Sequence, residues 1–150
     1  MGNICRSPAG ENVMRQQLLT SGLEKEIEVD SAGTINFHTG NPPDSRMTAA
    51  ARDRGIEMTG KARQITKNDL AEFDLILVAD RENLADVEKL ASNVEAPCPI
   101  RLFCEFCTEH DQEEVPDPYY GGPAGFELVL DLLEDGCNEI IRRYQADKLV

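Results

Sequence analysis

The run Gly2-Asn3-Ile4-Cys5-Arg6-Ser7-Pro8 sets two residues that tolerate left-handed backbone ahead of an arginine and a helix start. Such a loop can turn successive N–H groups toward one anion, and the helix end behind it adds free amides and a positive dipole. Arg6 would then clamp two oxygens of a phosphate. By spacing alone the same run is also a turn followed by a capped helix, and both readings stand at this point. Cys137 and Arg143 share a Cys-x5-Arg spacing, but the intervening residues lack glycine and read as helix, where no anion nest can form. Cys98, Cys104, Cys107 and His110 have spacings a zinc site could use, and Cys104-Glu105-Phe106-Cys107 admits redox chemistry. A packing role for Cys104 at a strand end is preferred to both.

The elements that must position these residues follow from pattern. Ser7 suits a helix cap and Pro8 its first turn, with the helix running to about Ser21 and Gly22 stopping it. Ile27-Glu28-Val29-Asp30 alternates as a strand, and Ser31-Ala32-Gly33-Thr34 breaks it. Asn41-Pro42-Pro43-Asp44 turns into a second helix near 45–54, capped by Asp44 and ended by Gly55. Leu75-Ile76-Leu77-Val78 is apolar on both faces, as a strand in a covered parallel sheet is. A helix over 81–92, a strand at Ile100-Arg101-Leu102-Phe103 and an acidic loop from Glu105 to Pro123 follow. Phe126, Val129, Leu130, Leu133, Cys137, Ile140, Ile141 and Tyr144 recur at helical spacing and mark a last helix with one buried face. Alternating strands and helices place the chain in the α/β class with a parallel sheet.

Composition bounds the partners. A chain of 150 residues with 41% hydrophobic content reads as one domain over 1–150. A formal charge of −13, from 28 acidic and 15 basic residues, excludes general affinity for nucleic acid or anionic membranes and leaves room for a local basic pocket. No long apolar run or secretory leader is present, and five cysteines without framework spacing read as reduced thiols, so a cytoplasmic protein is expected.

Gly2 to Pro8 resembles the end of the low-molecular-weight protein tyrosine phosphatase signature, Cys-Leu-Gly-Asn-Ile-Cys-Arg-Ser-Pro, with Met1 where the Leu would be. Val115-Pro116-Asp117-Pro118-Tyr119-Tyr120-Gly121-Gly122 is similar to the loop that carries that family's general acid. Asp30-Ser31-Ala32-Gly33-Thr34, Asn41-Pro42-Pro43-Asp44, Arg63-Gln64 and Asp74-Leu75-Ile76-Leu77 fall in the family's order. The resemblance implies hydrolysis of phosphotyrosine proteins or small aryl phosphates through a cysteinyl-phosphate. In it, Gly2, Asn3, Ile4, Cys5 and Arg6 cradle phosphate or another oxyanion, and Arg6 stabilises the transition state. Ser7 orients the thiolate and Asp117 is acid, then base. Phe37, Tyr119 and Tyr120 flank the mouth. No metal or organic cofactor is implied, since loop amides and Arg6 do what a metal would do.

The family's nucleophile would sit immediately before Met1, and Cys5 resembles its second loop cysteine, which is no substitute. The expectation is a four-stranded parallel sheet of flavodoxin-like, doubly wound topology, three layers deep, whose first strand and nucleophile are absent from this chain. The chain as given should then be inactive. With the strand order second, first, third, fourth, either a strand-wide gap or a partner segment is expected between 27–31 and 75–78. One alternative is a pseudophosphatase that binds phosphotyrosine without cleaving it. Another is an arsenate reductase of the same fold, which fits less well because that loop usually carries Ser where Ile4 stands.

Overall fold

The computed structural model describes residues 2–119 and 121–149. Among the described residues five helices and two short strands follow in the order α1 (Arg6–Ser21), α2 (Ser45–Arg52), α3 (Lys67–Glu72), β1 (Ile76–Val78), α4 (Arg81–Ala91), β2 (Ile100–Leu102) and α5 (Pro123–Gln145). A 3₁₀ turn, Phe103–Phe106, follows β2 directly. β1 and β2 pair in parallel, Ile76 against Ile100 and Val78 against Leu102, with α4 as the crossover.

Local chemistry explains most boundaries. Gly22 takes the left-handed conformation at φ 72° that ends α1, and its N–H returns to the last turn. The Asp44 carboxylate accepts from the N–H groups of Arg46 and Met47 to start α2. Thr66 and Asp69 form a reciprocal capping box on α3, a short helix the sequence pattern did not reveal. Pro123 opens α5, where its missing N–H costs nothing.

The largest cluster of buried side chains lies between α1 and α5, where Ala9, Val13 and Leu18 share a core with Val129, Leu130, Leu133 and Cys137. Leu70, Val78, Val87 and Ala91 form a second cluster between the β1–β2 ladder and helices α3 and α4. The α/β class stands. The four-stranded sheet is not seen among the described residues, which hold two parallel strands and one isolated bridge, Gly33 with Gln64.

Residues 27–31 are a correction to the sequence reading. They form no ladder, and no pairing joins them to β1. Alternation licenses a strand only when a neighbouring backbone takes its N–H and C=O groups. Here Ile27 and Val29 still pack on the main cluster, but the Val29 carbonyl accepts from Arg15 Nη2 and Ser31 N–H donates to the Asp30 carboxylate. Ser7 is a second correction. Cys5, not Ser7, is the N-cap and gives no side-chain cap, because Ser7 lies inside the first turn with its hydroxyl turned to Asn3.

Candidate active site

The loop ahead of α1 is built around Asn3, which is 5% exposed and sits at φ 60°, the left-handed region that asparagine reaches more readily than most residues. Its side chain holds that shape from three directions. Asn3 Nδ2 donates to Ser7 Oγ at 2.7 Å and to Ser31 Oγ at 3.0 Å, while Oδ1 accepts from Arg63 N–H at 3.0 Å. Ser31 in turn spends its only proton on the Glu11 carboxylate at 2.8 Å, so its lone pairs are left for Asn3. Glu11 is itself buried, and that burial pushes its carboxyl above the usual range. The Ile4 carbonyl accepts from Asp44 N–H at 2.7 Å, which ties the loop to the start of α2. Gly2 leaves room for His38, since a Cβ there would collide with the imidazole ring.

Arg6 is 7% exposed, and its Nη1 donates to Asp80 Oδ2 at 2.7 Å and to the Val115 carbonyl at 2.8 Å. Asp80 follows β1 by two residues and caps α4 by accepting from Asn83 N–H at 2.8 Å. Burial would raise the Asp80 carboxyl, but the Asn83 amide and the Arg6 guanidinium outweigh it and hold the group below the carboxylate range. The arginine is therefore anchored at the carboxyl end of a parallel strand, the usual place for a ligand in such sheets. The same contact reaches the acidic loop, because Val115 N–H donates to the Ala79 carbonyl at 2.8 Å.

Asp117 is exposed, with Oδ1 accepting from Tyr119 N–H at 3.0 Å. Its charge reaches Cys5. Burial first, then the carboxylates of Asp44 and Asp117, push the Cys5 thiol up to about 12. Cys5 is thus a poor nucleophile at neutral pH. The remaining thiols lie elsewhere: Cys98 beside α3, Cys104 and Cys107 at the 3₁₀ turn, and Cys137 inside α5 with Arg143. Among the described residues no group of three or more His, Cys, Asp or Glu side chains is placed to hold a metal ion.

An aromatic row borders the loop. Phe37 is 80% exposed and meets His38 edge-on at 4.9 Å, and His38 lies 6.4 Å from Tyr119. The Arg46 guanidinium, paired with Asp44, sits 5.2 Å over the Tyr119 ring and 4.9 Å from Phe126. Tyr120 lies outside the described residues. The structure thus brings Gly2 through Ser7, Asp117, Phe37 and Tyr119 to one end of the sheet. Asp80, Glu11, Ser31, His38 and Arg46 were not singled out as site residues from sequence. Asp80 had a signal: an N-cap aspartate just past a buried strand, where ligands of parallel sheets sit.

Comparison with known proteins agrees with this geometry. The profile of the family described as low molecular weight phosphotyrosine protein phosphatase matches residues 1–149. A Synechocystis protein, provisionally named a low molecular weight protein-tyrosine-phosphatase, is 45% identical over 141 residues, covering 94% of this chain and 90% of its own. The human low molecular weight phosphotyrosine protein phosphatase is 36% identical over 146 residues, 95% of this chain and 90% of that one. The crystal structure of an Entamoeba histolytica protein tyrosine phosphatase with Hepes in its active site superposes with a TM-score of 0.92 at 37% identity, covering 99% of this chain and 95% of that one. With its loop, anchored arginine and acidic loop meeting at one strand end, this chain belongs to the low molecular weight phosphotyrosine protein phosphatase family.

Proposed function

We propose that the chain is the body of a one-domain, cytoplasmic protein tyrosine phosphatase that hydrolyses phosphotyrosine or aryl phosphates through a cysteinyl-phosphate. The observation that carries the reading is Arg6, a buried guanidinium fixed by Asp80 and Val115 directly behind an anion-shaped loop. The loop amides of Gly2 to Arg6 and the Arg6 guanidinium hold the phosphoryl oxygens and take up their charge as the transition state forms. Ser7, whose Oγ accepts from Asn3 and keeps its own proton to donate, orients the attacking thiolate. Asp117 protonates the leaving phenolate and then activates the water that cleaves the thiophosphate. Phe37 and Tyr119 border the slot for the phenyl ring, and the family resemblance gives Tyr120 the same role.

On this reading the thiolate would be that of a cysteine placed immediately ahead of the Gly2–Ser7 loop, and not that of Cys5. The support is chemical: the reaction needs a thiol at the centre of the loop with a lowered pKa, and Cys5 is buried against two carboxylates. The Entamoeba relative holds Hepes, a sulfonate, in its active site, which fits an oxyanion-binding loop here as well. A four-stranded, doubly wound sheet with a further strand beside β1 belongs to the same reading.

The test is turnover of an aryl phosphate by two proteins. The 150-residue chain should be inactive, and a form extended by an apolar strand ending in Cys-Leu, with that Leu in place of Met1, should be active. In the extended form Asp117→Asn should lower kcat by about 10²–10⁴ with substrates that have poor leaving groups. An extended chain that folds and binds phosphate yet stays inactive would move the assignment to a binding protein.

A further inference from the structure

Taking the phosphatase reading above as given, we infer that Arg46 is a positioning residue for that reaction: through the Tyr119 ring it holds the acid loop, and with it Asp117, in register with the anion loop. Asp117 is exposed and belongs to no helix or strand, so its place depends on the anchors to either side. Upstream, Val115 is 2% exposed and its N–H donates to the Ala79 carbonyl at 2.8 Å. Pro118, buried beside Gly125, fixes the chain just after Asp117 but has no N–H to offer the carboxylate. Tyr119 does: half-buried against the main cluster, it donates its N–H to Asp117 Oδ1 at 3.0 Å. The direction of the carboxylate therefore follows the place of Tyr119.

Arg46, in the first turn of α2, holds that ring. Its guanidinium carbon lies 5.2 Å from the centroid of Tyr119 and 4.9 Å from that of Phe126, which is 3% exposed in α5. Each ring presents its negative face to the cation, so one guanidinium ties the acid loop to α5. Its own direction is set by a fork on Asp44, with Nε donating to Oδ1 at 3.3 Å and Nη2 to Oδ2 at 3.1 Å. Asp44 is fixed twice over, since its carboxylate caps α2 and its N–H donates to the Ile4 carbonyl at 2.7 Å. A continuous line thus runs from the anion loop to the acid through Ile4, Asp44, Arg46, Tyr119 and Asp117. The Arg46 side chain is 46% exposed, so solvent weakens each contact and its loss should displace the acid without abolishing its action. Stacking over two rings while forking onto a carboxylate needs a planar guanidinium, which lysine lacks.

A general acid matters most when the leaving phenolate is a strong base, so the dependence of kcat/KM on the leaving group reads the placement of Asp117. In the chain extended by the strand ending in Cys-Leu, Arg46→Met keeps a long side chain over the two rings and removes the fork. The expected result is a loss of about tenfold in kcat/KM with phenyl phosphate and of less than about twofold with 2,4-dinitrophenyl phosphate. With Asp117→Asn already in place, Arg46→Met should change either value by less than about twofold, because the acid it positions is gone. Arg46→Lys should fall between the parent and Arg46→Met. Attraction of anionic substrate by the Arg46 charge would act on every leaving group alike. An equal loss with both substrates, or an undiminished loss on the Asp117→Asn background, therefore overturns the proposal. If the extended parent chain hydrolyses no aryl phosphate, the phosphatase reading fails, and the hold of Arg46 on the acid loop is judged in the 150-residue chain by hydrogen exchange across 115–122. The Tyr119 amide should then exchange about threefold or more faster in Arg46→Met than in the parent, and unchanged exchange overturns the proposal.

Discussion

Replacing Asp80 tests whether Arg6 is held in place or merely buried. The Asp80 side chain is 21% exposed, and it makes two kinds of contact: the cap on Asn83 N–H and the charged bond to Arg6. Loss of the cap costs about 1 kcal/mol. A hydrogen bond to a charged partner contributes about 1.5–3 kcal/mol, and the partial exposure places this one near the lower end. Asp80→Ala should therefore cost about 2.5–3 kcal/mol, a Tm drop of roughly 5–12 °C for a chain of this size. Asp80→Asn keeps the cap and a neutral acceptor and should cost about 1–1.5 kcal/mol, because the buried guanidinium loses its counter-charge. Urea denaturation of these variants in the native and Arg6→Met backgrounds separates the two contributions. With Arg6 removed, Asp80→Asn should cost close to nothing. If Asp80→Asn costs the same in both backgrounds, the ion pair contributes nothing and the anchoring argument is wrong.

Gly136 in α5 faces the Phe103 ring so closely that a Cβ would collide with it. Gly136→Ala gains about 0.5–1 kcal/mol of helix propensity but should lose about 1–3 kcal/mol to overpacking, giving a net lower urea midpoint. Asp135, nearly fully buried, accepts from Thr108 and Glu109 N–H and meets His110 Nδ1 at 2.8 Å. Burial would raise its carboxyl, but His110 and these amides outweigh that and lower it, so its contribution holds above the ordinary carboxylate range and fades as pH falls below it. His110 is raised by Asp135, so its contribution is complete below about 6.5 and is lost as pH rises through the higher folded value. Thermal melts across pH should show both flanks, and Asp135→Asn should flatten them; unchanged flanks would mean other groups set the profile.

How much was legible depended on whether a residue's partner was local. Asp44, Gly22 and Gly55 announce helix ends because caps and stops act within a few residues, and all three act where the pattern placed them. The apolar stripe of α5 was equally readable because its period is a property of the helix alone. Residues 27–31 failed for the opposite reason, since a strand exists only with a neighbour and alternation says nothing of one. α3 was hidden because a six-residue helix is specified by its Thr66–Asp69 capping box more than by any period. In the site, the Gly2–Pro8 run and Asp117 were visible as motifs. Their supports were not, because Asp80 meets Arg6 across 74 positions and Ser31 meets Asn3 across 28. Such pairs leave no local trace, and only the fold brings them together.

The proposed reading turns on whether the anion loop serves a cysteine placed immediately ahead of it or Cys5, which burial and two carboxylates push up. Rapid quench of the extended chain carrying Asp117→Asn, with an activated aryl phosphate, followed by peptide mass spectrometry, locates the phosphoryl group. The account predicts a phosphocysteine at the added cysteine, absent when Arg6 is replaced by Ala, with Cys5 unmodified. Phosphate on Cys5, or turnover by the 150-residue chain itself, would contradict it.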